Sequence, residues 1–312
     1  MMLSPKFSKL KNTRTLFITG ASSDLGGALT RRLSRLSDFK IRAMVHRSLV
    51  NIPGCEVRPG NLNNPGLMAR ALVGVDTVIH MAALTKSKNT LDYFHTNVTG
   101  TKNLIDACVG QGVKKILYIS SRAASLDGGG YASSKLEAEE CVKKSGLQWV
   151  ILRPSEVYGQ GEGNSINRLI RWIQHYPCVP MIGLGKSRLS PVHVDDVVSA
   201  MVLSIFDEKL ANETIVLAGP EELTYDQLVD RISAYIGVNR LKIRLPVGLI
   251  KLVVAGLSKV GINILVPDQI PRLLKEKPYG IDLAREKLNY SPRSLEDGMK
   301  SFFHQELVDT PF

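Results

Sequence analysis

A phenol four residues before an amine is a candidate proton-transfer pair. Among the nine tyrosines of the chain only Tyr131 has a lysine at that spacing, Lys135. On a helix, residues four apart share one face. A free phenol, with a pKa near 10, is a poor acid or base at neutral pH, but a neighbouring ammonium favours the phenolate and lowers that value. Tyr131 then becomes a usable proton shuttle, with Lys135 as its tuner. Lys135 is expected at the start of a helix running to about Ser145. Upstream, Ser120-Ser121 ends a β-rich run, and Ser121 is the hydroxyl expected to hold the reacting oxygen. Together the three residues predict acid/base chemistry at a carbonyl or a secondary alcohol.

A hydride partner for that chemistry has a candidate seat near the N-terminus. After the first apolar run the chain reads Thr19-Gly20-Ala21-Ser22-Ser23-Asp24-Leu25-Gly26-Gly27, and a leucine stripe begins within it. Strand, small-residue turn and helix follow in the order a dinucleotide site requires. The backbone of Ser22, Ser23, Asp24 and Leu25 is expected to face a pyrophosphate at the positive end of the helix dipole. Gly20 supplies the tight turn and Gly26 the close helix packing. About 20 residues on, where NAD enzymes carry a carboxylate for the ribose, the chain reads Val45-His46-Arg47-Ser48. The Arg47 guanidinium suits a 2′-phosphate, which predicts NADP in preference to NAD.

Elements that position these residues are legible as alternating β-rich and helical runs. Strands are expected at Thr15–Thr19, Ile41–Val45, Glu56–Arg58, Thr77–His80, Lys115–Ser120 and Trp149–Leu152. Helical stripes run through Leu25, Leu29, Leu33 and Leu36, and through Val98, Leu104, Ile105 and Val109. This pattern predicts an α/β fold, a doubly wound parallel sheet with a smaller C-terminal substrate lobe. The expected division is a basic tail at 1–14, a dinucleotide-binding domain at 15–155 with a returning segment near 185–217, and a lobe over 156–312. In the lobe a helix is expected at Asp195–Phe206, a strand at Thr214–Leu217 and a helix near Thr224–Ile236.

Bulk properties narrow the classes. The net charge of +11 favours an anionic small-molecule partner, and no aromatic-basic motif or recognition-helix pattern supports nucleic-acid binding. Cys55, Cys108, Cys141 and Cys178 lack metal-ligand spacing, so no metal is expected and reduced thiols in a cytoplasmic protein are. No apolar h-region follows the basic tail, so no signal peptide is expected. The apolar run Leu245–Val266 is broken by Pro246, Lys251, Lys259 and several glycines, and is read as a lobe helix over a cleft, not a membrane span.

Further ordered motifs are His80-Met81-Ala82-Ala83, Asn97-Val98-Thr99-Gly100-Thr101-Lys102-Asn103-Leu104, Arg153-Pro154-Ser155-Glu156-Val157-Tyr158-Gly159 and Val192-His193-Val194-Asp195-Asp196. With the Gly20 turn and the Tyr131/Lys135 pair, the chain resembles the short-chain dehydrogenase/reductase superfamily in its extended or atypical branch, the NAD-dependent epimerase/dehydratase-like proteins. The likeness runs from about Thr15 to Pro292. It implies that Ala82 and Ala83 line the adenosine and phosphate side, that Asn61 and Leu62 contact adenine, and that Lys135 also binds the nicotinamide ribose. Pro154 and Val157 would pack near the nicotinamide, with Ser120 at the same strand end. Thr85, Ser121 and Glu156 would border the substrate, with Arg188 as a substrate-phosphate contact. Three departures stand out: Ser23 for the central glycine, Asn61 for an aspartate, and only nine residues between Ser121 and Tyr131. The short segment speaks against a nucleotide sugar. Implied activities are an NADP-preferring reductase or dehydrogenase, a nucleotide-sugar epimerase or dehydratase with retained cofactor, or, in another class, a non-catalytic dinucleotide-binding assembly subunit. A homodimer through the helices near Asn97 and Lys135 is the expected oligomer.

Overall fold

Alternate residues of the first strand, β1 (Arg14–Thr19), enter different cores: Leu16 and Ile18 bury on one face and Phe17 on the other. That period-two alternation is repeated along the strands and sets a sheet covered by helices on both sides. The computed structural model describes residues 14–36, 39–46, 52–161, 164–249, 271, 275 and 279–309, with only the backbone over 305–309. Arg47, the tail before residue 14 and the part of the apolar run Leu245–Val266 beyond residue 249 lie outside the described residues.

The strands that follow are β2 (Phe39–Val45), β3 (Glu56–Pro59), β4 (Thr77–His80), β5 (Lys115–Ile119), β6 (Gln148–Pro154), β7 (Val157–Tyr158), β8 (Cys178–Ile182), β9 (Arg188–Leu189), β10 (Val192–His193), β11 (Glu213–Leu217), β12 (Leu223–Thr224) and β13 (Leu241–Leu245). Seven form one sheet in the order β11-β6-β5-β4-β1-β2-β3, every neighbouring pair parallel. This is the doubly wound α/β sheet that the alternation predicts. The chain moves outward from β1 through β2 to β3, then returns to the other side of β1 with β4. The direction therefore reverses between β1 and β4, and the carboxyl ends of the strands at such a switch point are where doubly wound sheets bind their ligands.

The helices are α1 (Asp24–Leu33), α2 (Pro65–Ala71), α3 (Thr90–Tyr93), α4 (Gly100–Gly110), α5 (Gly130–Lys143), α6 (Ser165–His175), α7 (Val194–Phe206), α8 (Tyr225–Ile236), α9 (Asp282–Leu288) and α10 (Leu295–Asp309), with a π-helical turn Phe94–Thr99 between α3 and α4. One layer holds α1, α7 and α9 through Leu29, Leu33, Val197, Met201 and Leu288. The other holds α2, α4 and α5 through Met68, Leu104, Ile105, Ala138 and Val142. Each such valine, leucine, isoleucine or methionine side chain, removed from water, contributes about 1.5–3 kcal/mol before entropy is counted. A third core joins Ile166, Ile170 and Ile173 of α6 to Leu228 and Ile232 of α8 and to Met299 and Phe302 of α10.

Several local expectations shift. The α1 helix ends at Leu33, and Leu36 packs from the turn beyond it. Val109, expected on the buried stripe, is 55% exposed: the buried side of α4 carries Thr101, Leu104, Ile105 and Cys108, and Val109 lines the open groove between α4 and α5 beside Asp106. The α5 helix starts at Gly130 rather than at Lys135, after Gly129 at φ +92°. Tyr131 therefore lies in its first turn. Lys115 is buried, and its ammonium donates to the carbonyls of Ser204, Ile205 and Asp207 at 2.7, 3.3 and 3.0 Å, closing the C-terminal end of α7.

Candidate active site

The turn after β1 is built by close backbone approach. Gly20 sits at φ +74°, and a Cβ there would come 2.7 Å from the Ala82 amide nitrogen. At Gly26 a Cβ would come 2.3 Å from the Gly20 carbonyl oxygen. Both positions thus demand glycine, and the loops after β1 and β4 meet across the switch point. Ser23 caps α1: its Oγ accepts from Gly26 N at 3.1 Å and donates to the Gly20 carbonyl at 2.8 Å. The hydroxyl that replaces a glycine is folded back into the turn. First-turn amides of α1 have no carbonyl partner within the helix and point out of its N-terminus. The narrow turn, the helix end and the small Ala82 and Ala83 across the switch point fit a dinucleotide pyrophosphate. The Asp24 carboxylate packs against Gly161 of the loop after β7, where a Cβ would come 2.1 Å from its Cγ.

A buried relay locks β1 to β4 beneath this turn. Thr101 donates its hydroxyl proton to the Asn97 carbonyl at 2.5 Å and so accepts from His80 Nε2 at 2.9 Å. His80 Nδ1 then accepts from Thr19 Oγ1 at 2.7 Å, and that oxygen accepts from the amides of Met81 and Ala82 at 3.2 Å each. Burial, with help from the Lys135 charge, pushes the His80 pKa down to about 3 and keeps the ring neutral.

On α5, Tyr131 and Lys135 lie on the inward face, with Tyr131 9% exposed and Lys135 buried. The Tyr131 ring meets that of Tyr93 edge-on at 6.2 Å. Lys135 Nζ donates to the Ile119 carbonyl at 2.8 Å and stands 4.1 Å above the Tyr118 ring. Burial draws the Lys135 pKa down to about 7 against the pull of Glu139. At neutral pH this amine is a titrating group, whereas the sequence reading assumed a fixed ammonium. Ser121 lies two residues beyond Ile119, partly buried, its Oγ accepting from Ala123 N at 3.1 Å.

Other predicted residues divide into those at the carboxyl edge of the sheet and those committed elsewhere. The Ser120 hydroxyl donates to Glu139 at 2.5 Å, so only its backbone faces the strand end. Asn61 Oδ1 accepts from Asn63 N at 2.9 Å, and buried Leu62 gives its carbonyl to Asn103 at 3.0 Å. Thr85 is exposed at the rim. Pro154 ends β6 and Val157 lies in β7, packed against the α1/α7 core. The Arg188 side chain, half exposed, pairs with Glu222 at 3.0 Å. Glu156 is paired too: Arg122, buried beside Ser121, donates to its Oε2 and to Ser190 Oγ, both at 3.0 Å.

Sequence reasoning gave no role to Asn97, Arg122 or Glu139. Asn97, in the π-helical turn, holds the loop after β4 by both polar atoms: Leu84 N donates to Oδ1 at 2.7 Å, while Nδ2 donates to Leu84 O and Ser134 Oγ at 3.1 and 2.9 Å. Its place in an ordered motif was the one available signal. Glu139 carried another, the four-residue spacing from Lys135.

A family model described as the NAD dependent epimerase/dehydratase family matches residues 16–218. The chain is 26% identical over 296 residues to a 3beta-hydroxysteroid-dehydrogenase/decarboxylase of Arabidopsis thaliana, covering 80% of this chain and 67% of the relative. To the UDP-glucose 4-epimerase of Vibrio cholerae it is 23% identical over 317 residues, covering 93% and 94%. A dTDP-glucose 4,6-dehydratase from Streptomyces venezuelae, solved with NAD bound, superposes with a TM-score of 0.77 at 20% identity over 95% of this chain and 98% of that one. None of the described helices is long and apolar enough to cross a membrane, and the described residues contain no cluster of metal-ligating groups.

Proposed function

The chain belongs to the NAD-dependent epimerase/dehydratase family, a family of NAD-dependent enzymes, and on that basis we propose that it is an oxidoreductase acting on a carbonyl or a secondary alcohol. The observation that carries this reading is the inward Tyr131/Lys135 face of α5, gripped to the end of β5 through Ile119, on the same sheet edge as the Gly20–Leu25 turn. When bound, NAD(P) supplies the hydride donor or acceptor. Ser121 orients the substrate oxygen by a hydrogen bond. Tyr131 moves the proton at that oxygen, and Lys135 sets the readiness of the phenol to release it. Thr85 and Glu156 border the substrate, Glu156 on a fixed Arg122 partner, and Arg188 is the outermost candidate contact. Ala82, Ala83, Asn61, Leu62, Pro154 and Val157 are the residues assigned to the cofactor.

Fluorescence titration with NADPH and NADH, followed by a panel of ketones and nucleotide sugars, tests this reading. Binding of neither coenzyme at millimolar concentration would sink it. A net change in NAD(P)H absorbance on adding substrate marks reduction or oxidation, whereas product without such a change marks epimerisation or dehydration. The latter reading is favoured by the similarity to a UDP-glucose 4-epimerase along 93% of the chain. The nine-residue Ser121–Tyr131 segment favours the former.

Within this proposal the coenzyme is NADP. Arg47→Glu should weaken NADPH relative to NADH by about tenfold or more, as expected for loss of a charge-assisted hydrogen bond of roughly 1.5–3 kcal/mol. Unchanged selectivity in the same titration discards the NADP preference. The protein is also proposed to act as a homodimer through α4 and α5, which enclose a groove of about 590 Å³ lined by charges of both signs, among them Lys102, Asp106, Glu137, Glu140 and Lys144. Sedimentation equilibrium should give twice the chain mass; a monomer at micromolar concentration contradicts it. Four unpaired cysteines accord with a reducing, cytoplasmic setting.

A further inference from the structure

Tyr131, Lys135 and Glu139 follow at intervals of four along α5, so one helix face carries a phenol, an amine and a carboxylate in a row. The last two are buried. Isolated charges in such a place cost several kcal/mol each unless they are paired and hydrogen-bonded. Glu139 is well supplied: Oε1 accepts from Ser120 Oγ at 2.5 Å and Arg153 Nε at 2.9 Å, and Oε2 accepts from Arg153 Nη2 at 2.6 Å. Lys135 is not, having a carbonyl and an aromatic face. Ile119 and Ser120 are consecutive, and Ser121 comes next. The helix thus grips the strand end at two successive residues, through the amine on one and the carboxylate on the other.

We propose that Glu139 is a positioning residue for the proton-transfer pair, keeping the buried Lys135 amine protonated by its charge and fixing the Ser121 strand end against α5 through Ser120. The proposal rests on the oxidoreductase reading for its purpose, not for its measurement. The titratable groups that act on Lys135 are His80 from β4, Tyr118 from β5 and Glu139 from α5, with Tyr131 one turn before it on the same helix; Arg153 of β6 meets Glu139 directly. His80 is held neutral, and burial pushes the Tyr118 phenol well above its usual range. The Glu139 carboxylate is therefore the negative charge that supports the ammonium among these groups. Burial pulls Lys135 down and Glu139 pulls it up, leaving it at about 7. Without the carboxylate the amine loses its proton at lower pH.

The test uses the whole chain labelled with [ε-13C]lysine and titrated by NMR without coenzyme or substrate, Lys135 being assigned by the signal lost in Lys135→Met. The wild-type midpoint should lie near 7. In Glu139→Gln it should fall by at least about one pH unit, the usual size of a close opposite-charge effect. Ser120→Ala, which keeps the charge, should leave it unmoved. If Glu139→Gln does not fold, Arg153→Gln carries the test with the opposite sign: loss of the counter-charge should raise the midpoint. A midpoint that stays at the wild-type value in the folded variant overturns the proposal, even if turnover is intact. Failure of both NADPH and NADH to bind with the shifts present overturns the oxidoreductase reading instead.

Discussion

Tyr131→Phe should reduce turnover by roughly 10²- to 10⁴-fold, the usual contribution of a positioned general acid or base, while coenzyme affinity and Tm stay close to wild type. The reason is atomic: the substitution deletes one hydroxyl and leaves the ring, which packs edge-on against Tyr93 inside the layer of α3 and α5. Lys135 keeps its bond to the Ile119 carbonyl, so the helix and strand stay joined. The measurement is kcat and kcat/KM beside a coenzyme titration on the same sample. Equal losses in both kinetic constants with unchanged coenzyme binding mark an interaction made only in the transition state. A variant with full activity would remove Tyr131 from the chemistry, and with it the proton shuttle that the function requires.

Arg122→Met should be the most destabilising of the site substitutions. Its guanidinium is 1% exposed and ties three chain segments together, since Ser121–Arg122 leaves β5, Glu156 leaves β6 and Ser190 follows β9. Removing one member of a buried pair costs about 3–5 kcal/mol, because the other charge is stranded. Glu156 is 15% exposed and also accepts from Ser190 N at 3.1 Å. Both moderate the penalty, so a loss of about 3 kcal/mol is expected, lowering Tm by roughly 4–6 °C in a chain of 312 residues. Thermal unfolding of Arg122→Met beside Arg122→Met/Glu156→Gln separates the causes. The double variant should recover part of the loss by removing the stranded carboxylate. A single variant that melts with the wild type would mean the pair contributes nothing to stability.

These two residues differ in how visible they were in the chain. Tyr131 stood out because its partner lies one helical turn away, a distance over which spacing alone decides whether side chains share a face. The Gly20 turn was equally visible: strand, turn and helix are contiguous, and the positive φ at Gly20 is a local demand of the backbone. Arg122 was invisible, because its partners are 34 and 68 residues away in sequence. Lys115 likewise reads as a surface lysine until α7 ends against it, some 90 residues later. Val109 misled for the opposite reason: it reads as part of the apolar stripe of α4 but lines the open groove between α4 and α5.

Local backbone preference and side-chain periodicity act over a few residues, and so the strand and helix succession, the glycine turn after β1 and the phenol–amine pair were all written in the chain itself. Depth and partnership are properties of several segments at once. Only after β5, β6 and α5 pack does Lys135 lose its water and come to titrate near neutrality, does Glu139 acquire Arg153 and Ser120, and does Glu156 become half of an ion pair. Desolvation, which sets the charge state of these groups, depends on what surrounds a side chain rather than on what precedes it.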